Sequence, residues 1–376
     1  MFSAETHNFR RITMISRKSS AVAALVVAAA LWGCSRPRDA AWSFATRRPW
    51  ILAGDSQALT PAVNRNVVFF CGGYAERQQS RVYALDLSTG KPKWQFNIGN
   101  CASPPLLASD VVVAFGFAGQ RDRILVYGLL TDSGRQKWKI ELPGNPHPPA
   151  PAVVGDIIFF APVSRSMLRI DARDASVQTF DIDPDLTVAA ENFWVVAAPG
   201  EAIFGYGKSF WRAKLDREIP QEGPSLSEPA ANPSAVASDG HSLLFADEDG
   251  NLRAFDLGKG TVVWRRHWNK IASAPVLADG KVFLSIYDQK YALVALALSS
   301  GQELWRVPQG GACPPYWDST RLYAAAGNAV LRLNGESGKL DWRFNAPSQV
   351  TTAPIPVGNF VLFGTVQGAL YAAKAQ

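Results

Sequence analysis

Side chains able to attack, coordinate a metal or shuttle protons are scarce in this chain of 376 residues, which holds four Cys and four His. A zinc site needs three or four such ligands brought together, and general acid–base catalysis draws most often on His. His7 falls in a segment read below as removed, and none of His147, His241 or His267 lies close in sequence to Cys71, Cys101 or Cys313. A thiol nucleophile would need one of them as its base. Asp247-Glu248-Asp249-Gly250-Asn251 offers the oxygen ligands of a calcium loop but lacks the later Glu that completes one, so it reads as a turn between two strands. These counts weigh against most enzyme classes, and neither a catalytic residue, a metal nor a cofactor is expected.

The fourth cysteine belongs to an address. Ala21 to Leu31 is an apolar run with Arg17 and Lys18 ahead of it and Trp32, Gly33 and Cys34 behind. That order is the pattern of an export signal, and the run is short of the roughly 20 apolar residues a spanning helix needs. Leu31-Trp32-Gly33-Cys34 resembles the lipobox of bacterial lipoproteins, which implies that Cys34 is acylated and becomes the new N-terminus. Ser35 stands where inner-membrane lipoproteins of enteric bacteria often carry Asp, so the same resemblance implies sorting to the periplasmic face of the outer membrane. Met14 can serve as the start of a signal of ordinary length. The expected organisation is a signal peptide over 1–33, a tether over 34–49 and a folded region over 50–376. Losing residues 1–33 removes Arg10, Arg11, Arg17 and Lys18 together with Glu5, which takes the net charge from +6 to +3. No basic run remains that would support nucleic-acid binding.

The folded region has to be built from strands. Hydrophobic residues make up 47% and charged residues 19%, enough to form a core, while 25 Pro and 30 Gly disfavour a helical bundle. Gly followed four residues later by Trp recurs at Gly90/Trp94, Gly134/Trp138, Gly260/Trp264, Gly301/Trp305 and Gly338/Trp342. Small or Pro-containing strand starts recur with it at Thr60-Pro61, Ser103-Pro104, Ala150-Pro151, Asn232-Pro233, Ala274-Pro275, Pro314-Pro315 and Ala353-Pro354. With one further start near Leu186 to Ala189, the mean spacing is about 42 residues, the length of a four-stranded propeller blade. Asp86, Asp256 and Asn334 share one repeat position, four residues before the Gly, where a short polar side chain caps the amides of a turn. The repeated Trp is expected to pack across the junction between blades, and the basic residues after it, such as Arg265 and Arg306, to guard an outer edge.

The count predicts an all-β, eight-bladed propeller. Trp50 stands eleven residues before Pro61, as Trp264 does before Pro275, and the last unit ends before a Trp of its own. A strand at Trp50 is therefore expected to join the C-terminal blade and close the ring. Cys71 and Cys101 fall on one face of adjacent blades, where a disulfide is geometrically open to them in an oxidising compartment, with Cys313 left over.

Tyr83-Ala84-Leu85-Asp86-x-x-Thr89-Gly90-x-x-x-Trp94 closely resembles the repeat of pyrroloquinoline-quinone-type propellers, over about residues 50 to 376. The third unit departs from it with Thr179 and Phe180 around the expected Trp, and the unit near Asp216 lacks the Gly/Trp pair. With a lipobox and no extra domain, the chain resembles the BamB family of outer-membrane assembly lipoproteins. That resemblance implies a non-enzymatic monomer within a complex, docked on BamA-type machinery and aiding unfolded outer-membrane proteins. A quinone-dependent dehydrogenase, or a propeller lipoprotein binding another periplasmic protein or a saccharide, are the alternatives. Binding surfaces of propellers lie on loops. The candidates are Arg77 and Arg81, Arg121 and Arg123, Asp247 and Asp249, and Asp288-Gln289-Lys290, the last matching a partner-contacting hairpin of the family.

Overall fold

Short apolar runs separated by Asp, Asn and Gly turns become strands, and every element among the described residues is a strand. The computed structural model describes residues 40–45, 60–72, 80–101, 103–118, 123–143, 150–163, 166–182, 193–229 and 233–375. All of them belong to one unit, Arg36–Gln376. They form eight antiparallel blades of four strands, with a fifth short strand added to the sixth, and the first two blades share one continuous hydrogen-bonded sheet. A buried apolar cluster fills each seam, from blades one and two round to blades eight and one, so the ring is closed.

The closing strand is Ala40–Ala45, not a strand at Trp50. It runs antiparallel to Ala369–Lys374, from Ala40 opposite Ala373 to Ala45 opposite Ala369. Trp50 lies outside the described residues, and residues 40–45 belong to the ring rather than to a tether extending to residue 49. The physical reason is the fit of Trp42, whose indole Nε1 donates to the Leu87 carbonyl at 2.6 Å. A Cβ on Gly90 would lie 2.6 Å from that indole ring.

The same fit explains most of the Gly/Trp series. Nε1 of Trp94, Trp138, Trp264 and Trp305 donates to Thr131, Ala172, Leu298 and Gly335 in the next blade, at 3.0, 2.8, 2.6 and 2.9 Å. Gly134, Gly301 and Gly338 meet the rings of Trp94, Trp264 and Trp305, with a Cβ left only 2.5 to 2.8 Å. The Gly of one blade is thus the seat for the Trp of the blade before it. Burying one indole contributes on the order of 4–6 kcal/mol at about 25 cal/mol per Å². The turn that offers the seat is held by its Asp or Asn: Asp86 Oδ1 accepts the Ser88 and Thr89 amides at 3.1 and 2.9 Å. Asn334 Oδ1 accepts those of Glu336 and Ser337, both at 3.0 Å.

Blades three and four obey other rules. In blade three Ala175 occupies the Gly position with φ of 65°, Thr179 stands at the Trp position, and Phe180 beside it packs against the seam with blade four. The start expected near Leu186 to Ala189 lies outside the described residues; the inner strand of blade four is Trp194–Ala198. Its outer strand is only Gln221–Glu222, so no indole from an outer strand reaches blade five. Instead Arg212 donates from Nε to Glu201 Oε2 at 2.9 Å, from Nη2 to Glu201 Oε1, and from Nη2 to the Gly240 carbonyl of blade five at 2.9 Å. Trp194 meets Phe245 edge-on, with ring centroids 5.0 Å apart.

Candidate partner-docking face

A four-stranded meander puts its second-to-third hairpin at the same end as the link to the next blade, and its other two turns at the opposite end. Two of the described links are buried and specific. Ser273 Oγ accepts the Ser285 amide at 2.9 Å, and Thr352 Oγ1 accepts the Gly364 amide at 2.7 Å. Both residues precede the Pro of the repeat by two positions, so the Ser/Thr-Ala-Pro signal marks a cap that fixes the link against the blade it enters. On this end, loops are free to vary while their bases stay rigid.

The described candidate residues, Arg81, Arg123, Asp247, Asp249 and Asp288-Gln289-Lys290, lie at this hairpin end. The residues Arg77 and Arg121 fall outside the described residues, as does Cys34. Arg81 donates to Gln95 Oε1 at 3.1 Å, and Arg123 pairs with Glu141, so both lie along the outer sheet surface with partners already in place. Asp247 accepts the Asn251 amide at 2.8 Å and faces Arg253 at 3.5 Å, while Asp249 sits exposed in the turn. The Asp247–Asn251 stretch is therefore a capped hairpin turn. Among the described residues no group of three or more His, Cys, Asp or Glu is placed to hold a metal.

Asp288-Gln289-Lys290 is the tip of a projection. Its strands, Lys281–Asp288 and Lys290–Ala297, pair along their whole length, with Asp288 opposite Lys290 and Gln289 at φ of 65°. A short strand from the link before blade six, Lys270–Ile271, adds a third layer by pairing with Tyr287 and Ile286. Immediately below the tip, Tyr287 and Tyr291 oppose each other, 39% and 47% exposed, with ring centroids 5.1 Å apart in an edge-to-face arrangement. Arg306 stands nearby, its guanidinium held more firmly charged by Glu303 and then by Asp288. A stiff hairpin carrying two exposed aromatics and flanking charges is the composition of a binding hot spot. The sequence reading named the tip and missed the tyrosines. Their signal was the length of the hairpin, whose apolar-rich strands outrun the blade.

The three described cysteines are structural. Cys71 and Cys101 form a disulfide with Cα atoms 6.6 Å apart, and the strand Pro92–Cys101 that carries one of them crosses from blade one to pair with blade two. Closing a loop of this length stabilises a fold by about 3–4 kcal/mol in the chain-entropy view. Cys313 is free and buried, and burial pushes its thiol up to about 12, which leaves no thiolate for chemistry.

Comparison with known proteins places this architecture. The family model described as "Outer membrane protein assembly factor BamB" matches residues 78–178, 195–306 and 290–376. The BamB of Legionella pneumophila (strain Paris) is 29% identical over 167 residues, which cover 41% of this chain and 42% of that protein. The chain thus spans less than half the length of that relative. The solved structure of BamB from Moraxella catarrhalis superposes with a TM-score of 0.61 at 14% identity, covering 89% of this chain and 99% of that one. Quinoprotein glucose dehydrogenase A of Acinetobacter calcoaceticus shares 26% identity over 121 residues, 29% of this chain and 15% of that enzyme. Its eight-bladed ring, its indole-seated repeat and the reach of the family model together make this chain a member of the BamB family of outer-membrane protein assembly factors.

Proposed function

We propose that the chain is a non-enzymatic scaffold of the outer-membrane assembly machinery, held by an acylated Cys34 on the periplasmic side of the outer membrane. It docks as a single ring on a BamA-type partner and helps deliver unfolded outer-membrane proteins. The observation that carries this reading is the exposed Tyr287–Tyr291 pair on its three-stranded projection, a rigid anchor on the loop end of a ring from the assembly-factor family. The chemistry of the remaining side chains supports a binding role: Asp247 is occupied by Asn251 and Arg253, and Cys313 is buried and protonated.

Affinity isolation of the native lipoprotein tests the reading. BamA is expected to co-isolate with the wild type, and at least about tenfold less with Tyr287→Ala/Tyr291→Ala, since aromatic hot spots cost about 2 kcal/mol or more when truncated. Deleting the gene should lower porin levels in the outer membrane. Normal porins together with no BamA recovery would remove the assembly role. Quinone-dependent dye reduction by the purified ring would favour the dehydrogenase reading that its quinoprotein relative raises.

A further inference from the structure

The end of the ring opposite the docking hairpins carries an uneven charge. Its turns join first to second strands and third to fourth strands. At this end blades eight and one expose Arg65 and Lys91 in turns, Lys93 at the start of the strand Pro92–Cys101 and Lys374 at the close of Ala369–Lys374, with Asp86 as the acid among them. None of the four bases takes part in an ion pair of the described residues. The equivalent turns elsewhere are neutral or acidic. Blade two sets Asp110 and Asp132 against Arg135 and Lys137, and blade three sets Asp156, Asp171 and Asp174 against Arg173. Some bases of those turns are engaged, as Lys137 is with Asp110 and Lys281 with Glu336, and the unpaired ones, such as Arg135 and Lys339, have acids beside them in their turns.

The basic turns lie where the chain enters the ring. Ala40 begins the closing strand at this end, opposite Ala373 and next to Lys374. Two residues on, Trp42 is seated on Gly90, and its Nε1 reaches Leu87, in the very turn that continues into Lys91 and Lys93. Cys34 precedes Ala40 by six residues, at most about 22 Å of fully extended chain. Two of those residues, Arg36 and Arg38, are basic, against Asp39.

We infer that this face of blades eight and one is a docking surface for anionic lipid headgroups, so that the ring rests on the bilayer with the Tyr287–Tyr291 hairpin turned away from it. The orientation rests on the reading of Cys34 as the acylated residue; the affinity for an anionic surface rests on the charges alone. An acyl anchor on so short a leash keeps the four bases near the membrane at high effective concentration. Each base near an anionic surface shifts the equilibrium about fivefold, an effect that fades beyond a Debye length of about 8 Å at physiological salt. Lipid and basic cluster then act as the two signals that together fix a peripheral protein.

Hydrogen exchange of the full-length protein reconstituted in vesicles tests this. Amides of the turns at residues 64–66 and 88–93 should exchange at least about tenfold more slowly in phosphatidylglycerol-containing vesicles than in pure phosphatidylcholine, and high salt should abolish the difference. The Arg65→Asn/Lys91→Gln/Lys93→Gln variant should lose the protection, whereas Lys214→Gln/Arg217→Gln, on blade four, should keep it. Equal exchange in the two lipids, or a triple variant that behaves as the wild type, overturns the inference. Failure of the anchor reading looks different: an unacylated N-terminal peptide by mass spectrometry and no flotation with phosphatidylcholine, while salt-sensitive cosedimentation with phosphatidylglycerol persists.

Discussion

The seam between blades one and two and the seam between blades four and five close the same kind of gap with different chemistry. In the first, the Trp94 indole lies on Gly134 and bonds the Thr131 carbonyl. In the second there is no outer indole, and Arg212 joins the buried Glu201 to the Gly240 carbonyl of the next blade. Gly260, freed from an indole, packs instead on the Ser225 carbonyl, where an added Cβ would lie 2.4 Å away. The Gly/Trp repeat is therefore the mark of one way of sealing blades, and the propeller tolerates a second way once the buried charge is fully paired.

Breaking an indole seam should have the largest effect. Trp42→Ala empties the seat at the closing junction, where Trp42 is 5% exposed, and is expected to cost about 3–5 kcal/mol in urea unfolding. A variant with the wild-type midpoint would mean that the closing strand contributes nothing to the ring. The charged seam comes next. Arg212→Met strands the Glu201 carboxylate, itself 3% exposed, and should cost about 3 kcal/mol, whereas Glu201→Leu/Arg212→Met should recover most of that loss. Equal instability of the single and double variants would show that the two side chains are not coupled.

Two smaller changes sharpen the contrast within the turns. Ala175 holds at φ of 65° a conformation that Gly adopts freely, so Ala175→Gly should raise stability by up to about 1 kcal/mol; a destabilised variant would show that its methyl is needed as packing. The smallest effect concerns pH. Hydrogen bonds from the Ser88 and Thr89 side chains hold the Asp86 carboxyl below its ordinary value of 3.8. An acid depressed on folding contributes its stability in full above the unfolded value and loses it as the pH falls through the folded one. Asn334 fills the same position in blade seven and cannot titrate. Asp86→Asn should flatten the acid limb of the stability curve below about pH 4 and change stability at pH 7 by no more than about 0.5 kcal/mol. An unaltered acid limb would place the linkage elsewhere.

The seats explain what could be read from residues alone. Gly90, Gly134, Gly301 and Gly338 announced the fold because an indole needs a side chain missing opposite it. The Gly/Trp signal fades where the contact changes type: blade three carries Ala175 and Phe180 instead, and blade four has only the short outer strand Gln221–Glu222. Trp50 misled because its distance to Pro61 imitates the repeat, while Trp42, joined to the ring by a longer connection, imitates nothing. The docking face was half legible. Asp288-Gln289-Lys290 stood out as a polar tip, but whether Tyr287 and Tyr291 face core or water depends on how far the hairpin outruns its blade.

The pairing of Ala40 with Ala373 joins positions more than 300 residues apart in the chain. A chain released amino end first must carry an unmated edge, with Trp42 uncovered, until residues 369 to 374 emerge. Such distant partners make for slow maturation. During that interval the unfinished ring has the same liability as any unfolded cargo, a bare strand seeking another, and a premature stop codon anywhere upstream of Ala369 would leave it so permanently.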